Sequence, residues 1–331
     1  MKKWLLALLL AALLCGCASG AKDYSTEFFA MDTVMTVHLY NAKNAEVQAK
    51  DLIDTINYLD ATLSVTRSQS EIGRLAAGEA FTPSPVVDEL LERTLALRVR
   101  TDGCLDPTVY PIVKLWGFTT GEYHVPTQAE IDETLPLCGV QHIHKNGDIL
   151  SLDPGSALDF GAVAKGYAAE LCMHHLEDAG VSGILALGGN IQTVGSKPDG
   201  ADWRVGITDP DDPAATVAVL RLQGSNAVVT SGGYQRYFEE DGVRYCHIMD
   251  PATGQSAKSG LCSVTIVAKS GFLADGLSTA LYVMGPEKAE AFWRDSDDFE
   301  CVLITDDGKM LVTDGLADKI ETEIGFTVIK K

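Results

Sequence analysis

The densest oxygen chemistry in the sequence lies in the segment FLADGLSTALYVMG. Asp275, Ser278 and Thr279 stand at i, i+3 and i+4, so a helix from about Phe272 would carry all three on one face. One carboxylate and two hydroxyls suit a hard cation such as Mg²⁺, which uses few protein oxygens and leaves positions for phosphate. The alternative is a helix cap and two hydroxyls bonded to the helix backbone. The segment alone leaves both interpretations open.

A second candidate is the segment LDFGAVAKGYAAELCMHHL. It predicts a short strand that ends at Asp159-Phe160, a glycine turn, and a helix with Lys165 in its first turn. Free N–H groups at a helix start and a nearby lysine form an anion site. The segment is not a P-loop, because Lys165 precedes Gly166 and no Ser or Thr follows. A tight strand-to-helix turn with a surface lysine is the alternative.

Two further segments carry side chains that could act on a ligand. In CHIMDPATG, His247 comes just before the turn residues Asp250-Pro251, although a lone histidine on a strand is more often structural. In GCLDPTVYPIVKLWGF, a turn begins at Asp106-Pro107, and the aromatic residues that follow are more often core than a stacking platform. Neither segment decides a function by itself.

The elements that would position these residues alternate between strands and single helices. FFAMDTVMTVHLY is typical of a strand, whereas AEVQAKDLIDTINYLDATL and VVDELLERTLALRVRT are typical of amphipathic helices. Thr127 and Glu130 form a capping box, and hairpins are predicted to turn at Asn146-Gly147 and Asp307-Gly308. Strands outnumber helices, so the pattern predicts an α+β fold in a single domain with largely antiparallel sheets and packed helices.

The N-terminus is typical of an exported, anchored protein. Lys2 and Lys3 precede an apolar run that is too short to span a membrane stably, and the run ends in Leu-Cys-Gly-Cys, a lipobox pattern. We therefore predict a lipoprotein signal peptide at residues 1–16, a lipidated (palmitate-bearing) Cys17 in a tether at 17–25, and a domain at 26–331. An ordinary cleaved signal peptide is the alternative. The predicted location is the extracytoplasmic side of a bacterial membrane.

Charge and cysteine content limit the partners. The formal net charge of −20 disfavours nucleic acid and offers no polybasic attraction to anionic lipid. A phosphorylated ligand would therefore need local cations or a metal. Six cysteines lie in the body without a C-x-x-C pair, and several sit in apolar runs, so buried thiols are favoured over disulfides.

The order and the residues of the segments resemble those of the ApbE family of FAD:protein FMN transferases, from about residue 26 to 315. Nine segments in family order carry the resemblance: AMDTVMTV, LSVTRSQSEI, LDPTVYPIVKLWGF, DFGAVAKGYAAE, LALGGNI, WRVGITDP, TSGGYQRYF, HIMDPATG and DGLSTALYVMG. The resemblance implies an ApbE-like, T-fold-related domain. It also implies that FAD is split with Mg²⁺, that AMP leaves, and that FMN is attached to a threonine of an exported flavoprotein with an Asp-Gly-x-Thr type motif.

The resemblance also implies roles for individual residues. Asp275 and Thr279 match family metal ligands, Ser278 stands where some members place a further Asp, and Ala162 would contribute its backbone carbonyl. His247 would lie beside the scissile pyrophosphate, as a general base or as a positioning group. The positions that match family contacts to FAD are Met31, Thr66, Cys104, Leu105, Asp106, Asp159, Lys165 and Met249. Thr66 replaces a tyrosine of some members, and Cys104 and Leu105 are expected to act through backbone atoms.

Other functions remain open at the level of sequence. The same site could hydrolyse FAD to FMN and AMP, with water in place of threonine. A rival of another class is a lipoprotein that binds FAD without chemistry, although it would not need Asp275, Thr279 and His247 together. The segment DGLSTA also loosely resembles an acceptor motif, so self-modification is a further alternative.

Overall fold

The structure is a computed structural model that describes residues 22–331. The predicted signal peptide and Cys17 lie outside the described residues. Within residues 22–331, no helix combines the length and the apolar character needed to cross a bilayer.

The described residues form eight α-helices and sixteen strands. The helices are α1 (Ala45–Leu63), α2 (Glu71–Ala76), α3 (Pro85–Arg100), α4 (Tyr110–Leu115), α5 (Gln128–Thr134), α6 (Ala164–Asp178), α7 (Gly271–Met284) and α8 (Pro286–Arg294). The strands are β1 (Lys22–Ala30), β2 (Thr33–Ala42), β3 (Ile143–Asn146), β4 (Ile149–Leu152), β5 (Ser182–Leu187), β6 (Asn190–Val194), β7 (Trp203–Thr208), β8 (Thr216–Leu222), β9 (Asn226–Gly232), β10 (Tyr237–Glu240), β11 (Val243–Cys246), β12 (Leu261–Ala268), β13 (Phe299–Thr305), β14 (Met310–Thr313), β15 (Ile320–Thr322) and β16 (Phe326–Ile329).

Nine of the strands form one sheet, in the order β1-β2-β5-β6-β9-β12-β13-β14-β16. All neighbours in this sheet are antiparallel except β14 and β16, which are parallel. A three-stranded sheet, β15-β8-β7, and the separate hairpins β3-β4 and β10-β11 complete the strands. The prediction of a single α+β domain with largely antiparallel sheets is confirmed.

The centre of the large sheet is covered on both faces. On one face α6 and α7 pack together against the central strands, and α1 packs on α6. The three-stranded sheet covers the other face. On β12, Ile266 faces the core under the helices while its neighbour Val267 faces the core shared with Trp203. Because strand side chains alternate between faces, β12 is apolar almost throughout.

The β1-β2 hairpin corrects two predictions. FFAMDTVMTVHLY is not one strand, because the chain reverses at Met31 and Asp32, whose φ angles of 47° and 59° lie in the left-handed region. Two consecutive residues at positive φ form the tight turn that suits the twist of a hairpin. The sequence has no glycine at this turn from which it could have been predicted. Strand β1 also begins at Lys22, so the predicted tether extends too far when it includes residues 22–25.

Most other local predictions are confirmed. Helices α1, α3 and α7 form where expected, the Thr127–Glu130 capping box is present, and both hairpins occur, the first with Gly147 and Asp148 at its turn. All six cysteines of residues 22–331 are free, three of them buried and three partly buried.

The short strand that was predicted to end at Asp159-Phe160 is absent. Residues 155–160 are irregular, and Asp159 N donates to the Pro107 carbonyl at 2.7 Å. This bond fixes the segment against the turn after Asp106 without a strand partner, so the chain enters α6 from a loop.

Candidate functional site

The site lies where α6 and α7 cross, and each helix has a glycine at the crossing point. A Cβ atom on Gly166 would overlap the Gly271 carbonyl and the Asp275 side chain, and a Cβ on Gly271 would overlap the Gly166 carbonyl. Because both positions lack a side chain, the helices approach closely enough for Gly166 N to donate to Asp275 Oδ2 at 2.7 Å. The first turn of α6 is thereby joined to the carboxylate of α7.

Asp275 is a buried carboxylate whose negative charge is offset by few neighbouring groups. The residue is 4% exposed, and its burial raises the pKa of its carboxyl above the ordinary value. Lys165, the Gly166 N–H and the amide of Asn190 each act to lower that pKa, but burial has the larger effect. A buried carboxylate of this kind is stabilised by a cation.

The hydroxyls of Ser278 and Thr279 form a chain with Ser231 of β9. Ser278 Oγ donates to the Asp275 carbonyl at 2.7 Å, so Ser231 must be the donor in its 2.7 Å hydrogen bond to Ser278. Thr279 Oγ1 then donates weakly to Ser231 at 3.4 Å. Ser278 is fully buried and bonds the helix backbone, as the alternative interpretation predicted for it. The Thr279 oxygen keeps its lone pairs free, and it is the better placed of the two for a cation.

The Ala162 carbonyl is also left available. In a longer helix the Gly166 N–H would bond this carbonyl, but here it donates to Asp275 instead. Ala162 lies in the turn just before α6. Among residues 22–331 there is no cluster of three or more His, Cys, Asp or Glu side chains suited to a metal, so a cation here would rely on Asp275 with hydroxyl and carbonyl oxygens. That donor set is the one Mg²⁺ prefers.

Asn190, at the start of β6, has an unsatisfied amide next to this cluster. The residue is 3% exposed, and its Nδ2 has no hydrogen-bond partner. The amide interacts weakly with Asp275 and lowers the pKa of that carboxyl, although the geometry falls short of a normal hydrogen bond. Leaving a buried donor unpaired is costly. A phosphate or a metal-bound water would satisfy this group, so the residues present fit a metal–phosphate complex.

His247 is held as a neutral imidazole with one free nitrogen. The residue follows β11, and its backbone N donates to the Arg236 carbonyl at 3.0 Å. Nδ1 lies 3.2 Å from the same carbonyl, which can only accept, so Nδ1 carries the proton and Nε2 is the acceptor. Burial lowers the pKa of His247 to about 4, and the charges of Arg236 and Lys165 act in the same direction. The ring is therefore neutral at physiological pH.

Electrostatic coupling unites residues from four separate segments. Lys165 lowers the pKa of Asp159, His247 and Asp275, and Arg236 lowers the pKa of Asp159 and His247. Burial raises the pKa of Asp159 overall, and its Oδ1 accepts from Gly161 N at 2.7 Å. Two cations thus face two carboxyl groups and a neutral imidazole. Arg236, Asn190 and Ser231 were missed at the sequence level, because nothing in the spacing of a lone Arg, Asn or Ser indicates a site.

The remaining predicted positions are more varied. Asp106 is fully engaged inside the protein, since Arg98 Nε donates to it at 2.6 Å and Thr108 donates its N–H at 2.8 Å and its hydroxyl at 2.5 Å. The N–H groups of Cys104 and Leu105 both donate to Thr101, so only their carbonyls are available for the predicted backbone contacts.

Three predicted contacts to FAD have no link to the polar cluster in the described contacts. Met249 is buried in a small apolar core with Trp116, and its backbone bridges Ser256. Met31 is partly buried in the β1-β2 turn. Thr66 is exposed, and its hydroxyl lies 3.1 Å from that of Ser64.

Comparisons with known proteins identify the family to which this chain belongs. A sequence model of the ApbE family matches residues 31–303. The FAD:protein FMN transferase of Vibrio cholerae is 32% identical over 323 residues, which cover 93% of this chain and 96% of the relative. The protein of the same name from Escherichia coli K12 is 32% identical over 330 residues, covering 93% of each chain.

Solved structures match over the same extent. The ApbE protein of Thermotoga maritima superposes with a TM-score of 0.83 at 29% identity, covering 89% of this chain and 98% of that one. The apo form of the Pseudomonas stutzeri flavinyl transferase ApbE gives a TM-score of 0.77 at 34% identity, covering 87% of this chain and 93% of that one. The chain therefore belongs to the ApbE family.

Proposed function

We propose that this protein transfers FMN from FAD to a threonine hydroxyl of an exported acceptor protein, with release of AMP and with a requirement for Mg²⁺. The observation that carries the proposal is the buried oxygen cluster around Asp275, placed beside Lys165 and a neutral His247. A hard cation and an anionic diphosphate fit this combination, and a carrier of flavin would not need it. The name of the V. cholerae relative supports the transfer of FMN from FAD to a protein.

The bond changes balance without an outside oxidant or reductant. The threonine Oγ attacks the phosphorus of the FMN half, an O–P bond forms, and the bond from that phosphorus to the AMP oxygen breaks. His247 Nε2 accepts the hydroxyl proton, because Nδ1 is occupied by the Arg236 carbonyl. Lys165 and Arg236 bind the phosphate oxygens and offset the charge of an acidic protein.

Asp275, Thr279 and the Ala162 carbonyl would hold the Mg²⁺, and Ser278 would support Thr279 through Ser231. Bound there, the ion would neutralise charge on the diphosphate and stabilise the attacked phosphoryl group. The contacts to FAD assigned by the resemblance stay predictions. Asp106 is already bonded to Arg98 and Thr108, so we expect its side chain to contribute little to FAD binding. Thr66 would not supply the stacking contact that a tyrosine provides at this position in some members of the family.

The proposal includes the location of the enzyme. Cys17 would carry the lipid and hold the domain on the extracytoplasmic side of a bacterial membrane, where exported flavoproteins are reached. The short distance in sequence between Cys17 and β1 would keep the domain close to the bilayer. Mass spectrometry of the mature chain tests this directly, since an unmodified Cys17 would contradict it.

The test of the proposed activity uses the full-length chain with FAD, Mg²⁺ and a folded domain that carries an Asp-Gly-x-Thr motif. Mass spectrometry follows the acceptor and chromatography follows AMP. We expect an FMN adduct on threonine that is absent with EDTA. AMP and free FMN without an adduct would indicate FAD hydrolysis, an adduct on this chain itself would indicate self-modification, and the absence of AMP would leave a flavin-binding protein.

A further inference from the structure

Arg236 and His247 form the base of one small hairpin. Arg236 comes just before β10 and His247 just after β11, and both the backbone N and Nδ1 of His247 lie against the Arg236 carbonyl. Within residues 22–331, β10 and β11 pair only with each other and are not part of the large sheet. A two-stranded hairpin is marginally stable by itself, so the positions of Arg236 and His247 depend on what the hairpin packs against.

The hairpin packs against Phe118, which contacts both residues at its base. The Phe118 carbonyl accepts a hydrogen bond from Arg236 Nη2. The Phe118 ring meets the His247 imidazole edge-on, with ring centroids 6.3 Å apart and ring planes at 63°. The centroid of the same ring lies 5.7 Å from that of Phe238 on β10. Aromatic rings attract each other in edge-to-face geometry, so Phe118 contacts the imidazole through its ring and the guanidinium through its backbone.

Phe118 is itself held in a rigid segment. The residue is 2% exposed, and Gly117 before it has a φ of 81°, where an added Cβ would overlap the Glu122 carbonyl. Trp116 is fully buried, and its Nε1 donates to the Gly254 carbonyl at 2.9 Å. Gly254 belongs to the loop that follows His247. The segment therefore contacts the chain on both sides of His247 in the sequence.

This contact bears on which nitrogen of His247 can accept a proton. Nδ1 must face the Arg236 carbonyl for Nε2 to be the acceptor. A rotation of the imidazole would break that hydrogen bond and would allow the proton to sit on either nitrogen. The edge-to-face contact with Phe118 opposes the rotation. A guanidinium has several N–H donors, so the bond from Arg236 to the Phe118 carbonyl leaves others for phosphate oxygens.

We propose that Phe118 is a positioning residue for the transfer of FMN. Its ring fixes the orientation and the tautomer of His247, and its carbonyl holds the Arg236 guanidinium. The inference rests on the proposed function, because it concerns the base of that reaction. Phe118 acts through these two residues rather than on the reacting atoms.

The first test is a double-mutant cycle between Phe118 and His247 in the full-length chain, with FAD, Mg²⁺ and a folded acceptor domain that carries an Asp-Gly-x-Thr motif. Phe118→Leu removes the aromatic edge and keeps an apolar side chain and the carbonyl that binds Arg236. Phe299→Leu is the matched control, since Phe299 is 4% exposed and its ring packs on Phe292 with centroids 6.0 Å apart. Phe118→Met replaces the leucine variant if circular dichroism shows that the latter does not fold.

We expect Phe118→Leu to lower kcat for transfer about tenfold, with the Kd for FAD and the KM for the acceptor unchanged. In the His247→Gln background the same change has no further effect on kcat, and Phe299→Leu leaves kcat unchanged in both backgrounds. Equal losses in the two backgrounds overturn the inference, because Phe118 would then act independently of His247. An unchanged kcat in Phe118→Leu also overturns it.

A second measurement does not depend on activity. NMR of protein labelled with ¹⁵N-histidine reports which imidazole nitrogen carries the proton, and the spectrum of His247→Gln identifies the signals of His247. We expect a single tautomer, with the proton on Nδ1, in the wild type and in Phe299→Leu, and a mixture of tautomers in Phe118→Leu. The same single tautomer in Phe118→Leu overturns the inference. A wild-type chain that releases no AMP from FAD contradicts the proposed function, and the NMR comparison alone then supports or overturns the positioning of His247 by Phe118.

Discussion

Asp275 and Asp106 are both nearly buried carboxylates, yet their surroundings differ. Asp106 accepts from the Arg98 guanidinium and twice from Thr108. Asp275 accepts one backbone N–H, from Gly166, and has beside it an amide, Asn190, without a partner of its own. The burial of Asp275 raises the pKa of its carboxyl.

The difference separates a carboxylate that holds the fold from one that is ready for a ligand. A satisfied buried carboxylate stabilises the turn to which it belongs, and it gains little from a further cation because its charge is already compensated. A poorly compensated one destabilises the protein until a cation binds. The resemblance to the family assigned both residues to the site, and only the geometry distinguishes them.

The largest effect is expected from Asp275→Asn. This change keeps the shape of the side chain but removes the charge that would hold the cation, so transfer should fall by about a thousandfold or more. The free energy of unfolding should stay the same or rise, because a buried charge is lost. AMP release and urea unfolding measure the two effects. Activity near that of the wild type would show that Asp275 does not hold the cation.

His247→Gln should slow transfer by about a hundredfold, the lower part of the range for a general base, with FAD binding nearly unchanged. Stopped-flow measurement of transfer and equilibrium titration with FAD separate the two. Loss of FAD binding with normal transfer would make His247 a positioning residue.

The pH dependence gives a second test of His247. Its pKa in the folded protein is about 4, below the ordinary 6.5, so folding favours the neutral ring. The resulting stabilisation is complete above pH 6.5 and is lost as the pH falls from 6.5 towards 4. Unfolding in urea should show this slope in the wild type and a smaller one in His247→Gln. Equal slopes would contradict the lowered pKa.

Lys165→Met should weaken FAD binding by about tenfold, the usual loss for a charged hydrogen bond, while the fold is kept. Fluorescence titration with FAD measures the dissociation constant. Lys114→Met is a control, because Lys114 lies on α4 and does not influence the pKa of Asp159, His247 or Asp275. An unchanged dissociation constant for FAD in Lys165→Met would show that Lys165 is a surface residue with no role in FAD binding.

Asp106→Ala should have the smallest effect on chemistry and a clear one on folding. It leaves the partly buried Arg98 without its carboxylate, so the free energy of unfolding should fall by about 1–3 kcal/mol. The transfer rate of the folded fraction should change little. A drop in FAD binding equal to that of Lys165→Met would show that Asp106 acts on the ligand and would weaken the comparison with Asp275.

The sequence predicted the parts of this site that depend on local spacing. Asp275, Ser278 and Thr279 share a helix face because their separation matches the helical repeat. The β1-β2 turn was missed because Met31 and Asp32 adopt positive φ without a glycine. Arg236 and Asn190 were missed because the segments that carry them meet the helices only through the order of strands in the sheet, which no local pattern encodes.

The most direct measurement of the central claim is electron paramagnetic resonance of Mn²⁺, used in place of Mg²⁺, with FAD present. The account predicts one tightly bound Mn²⁺ in the wild type and in Asp106→Ala, and its loss in Asp275→Asn. Retention of the bound ion in Asp275→Asn, or its loss in Asp106→Ala with the fold intact, would contradict the assignment of the oxygen cluster around Asp275 as the metal site.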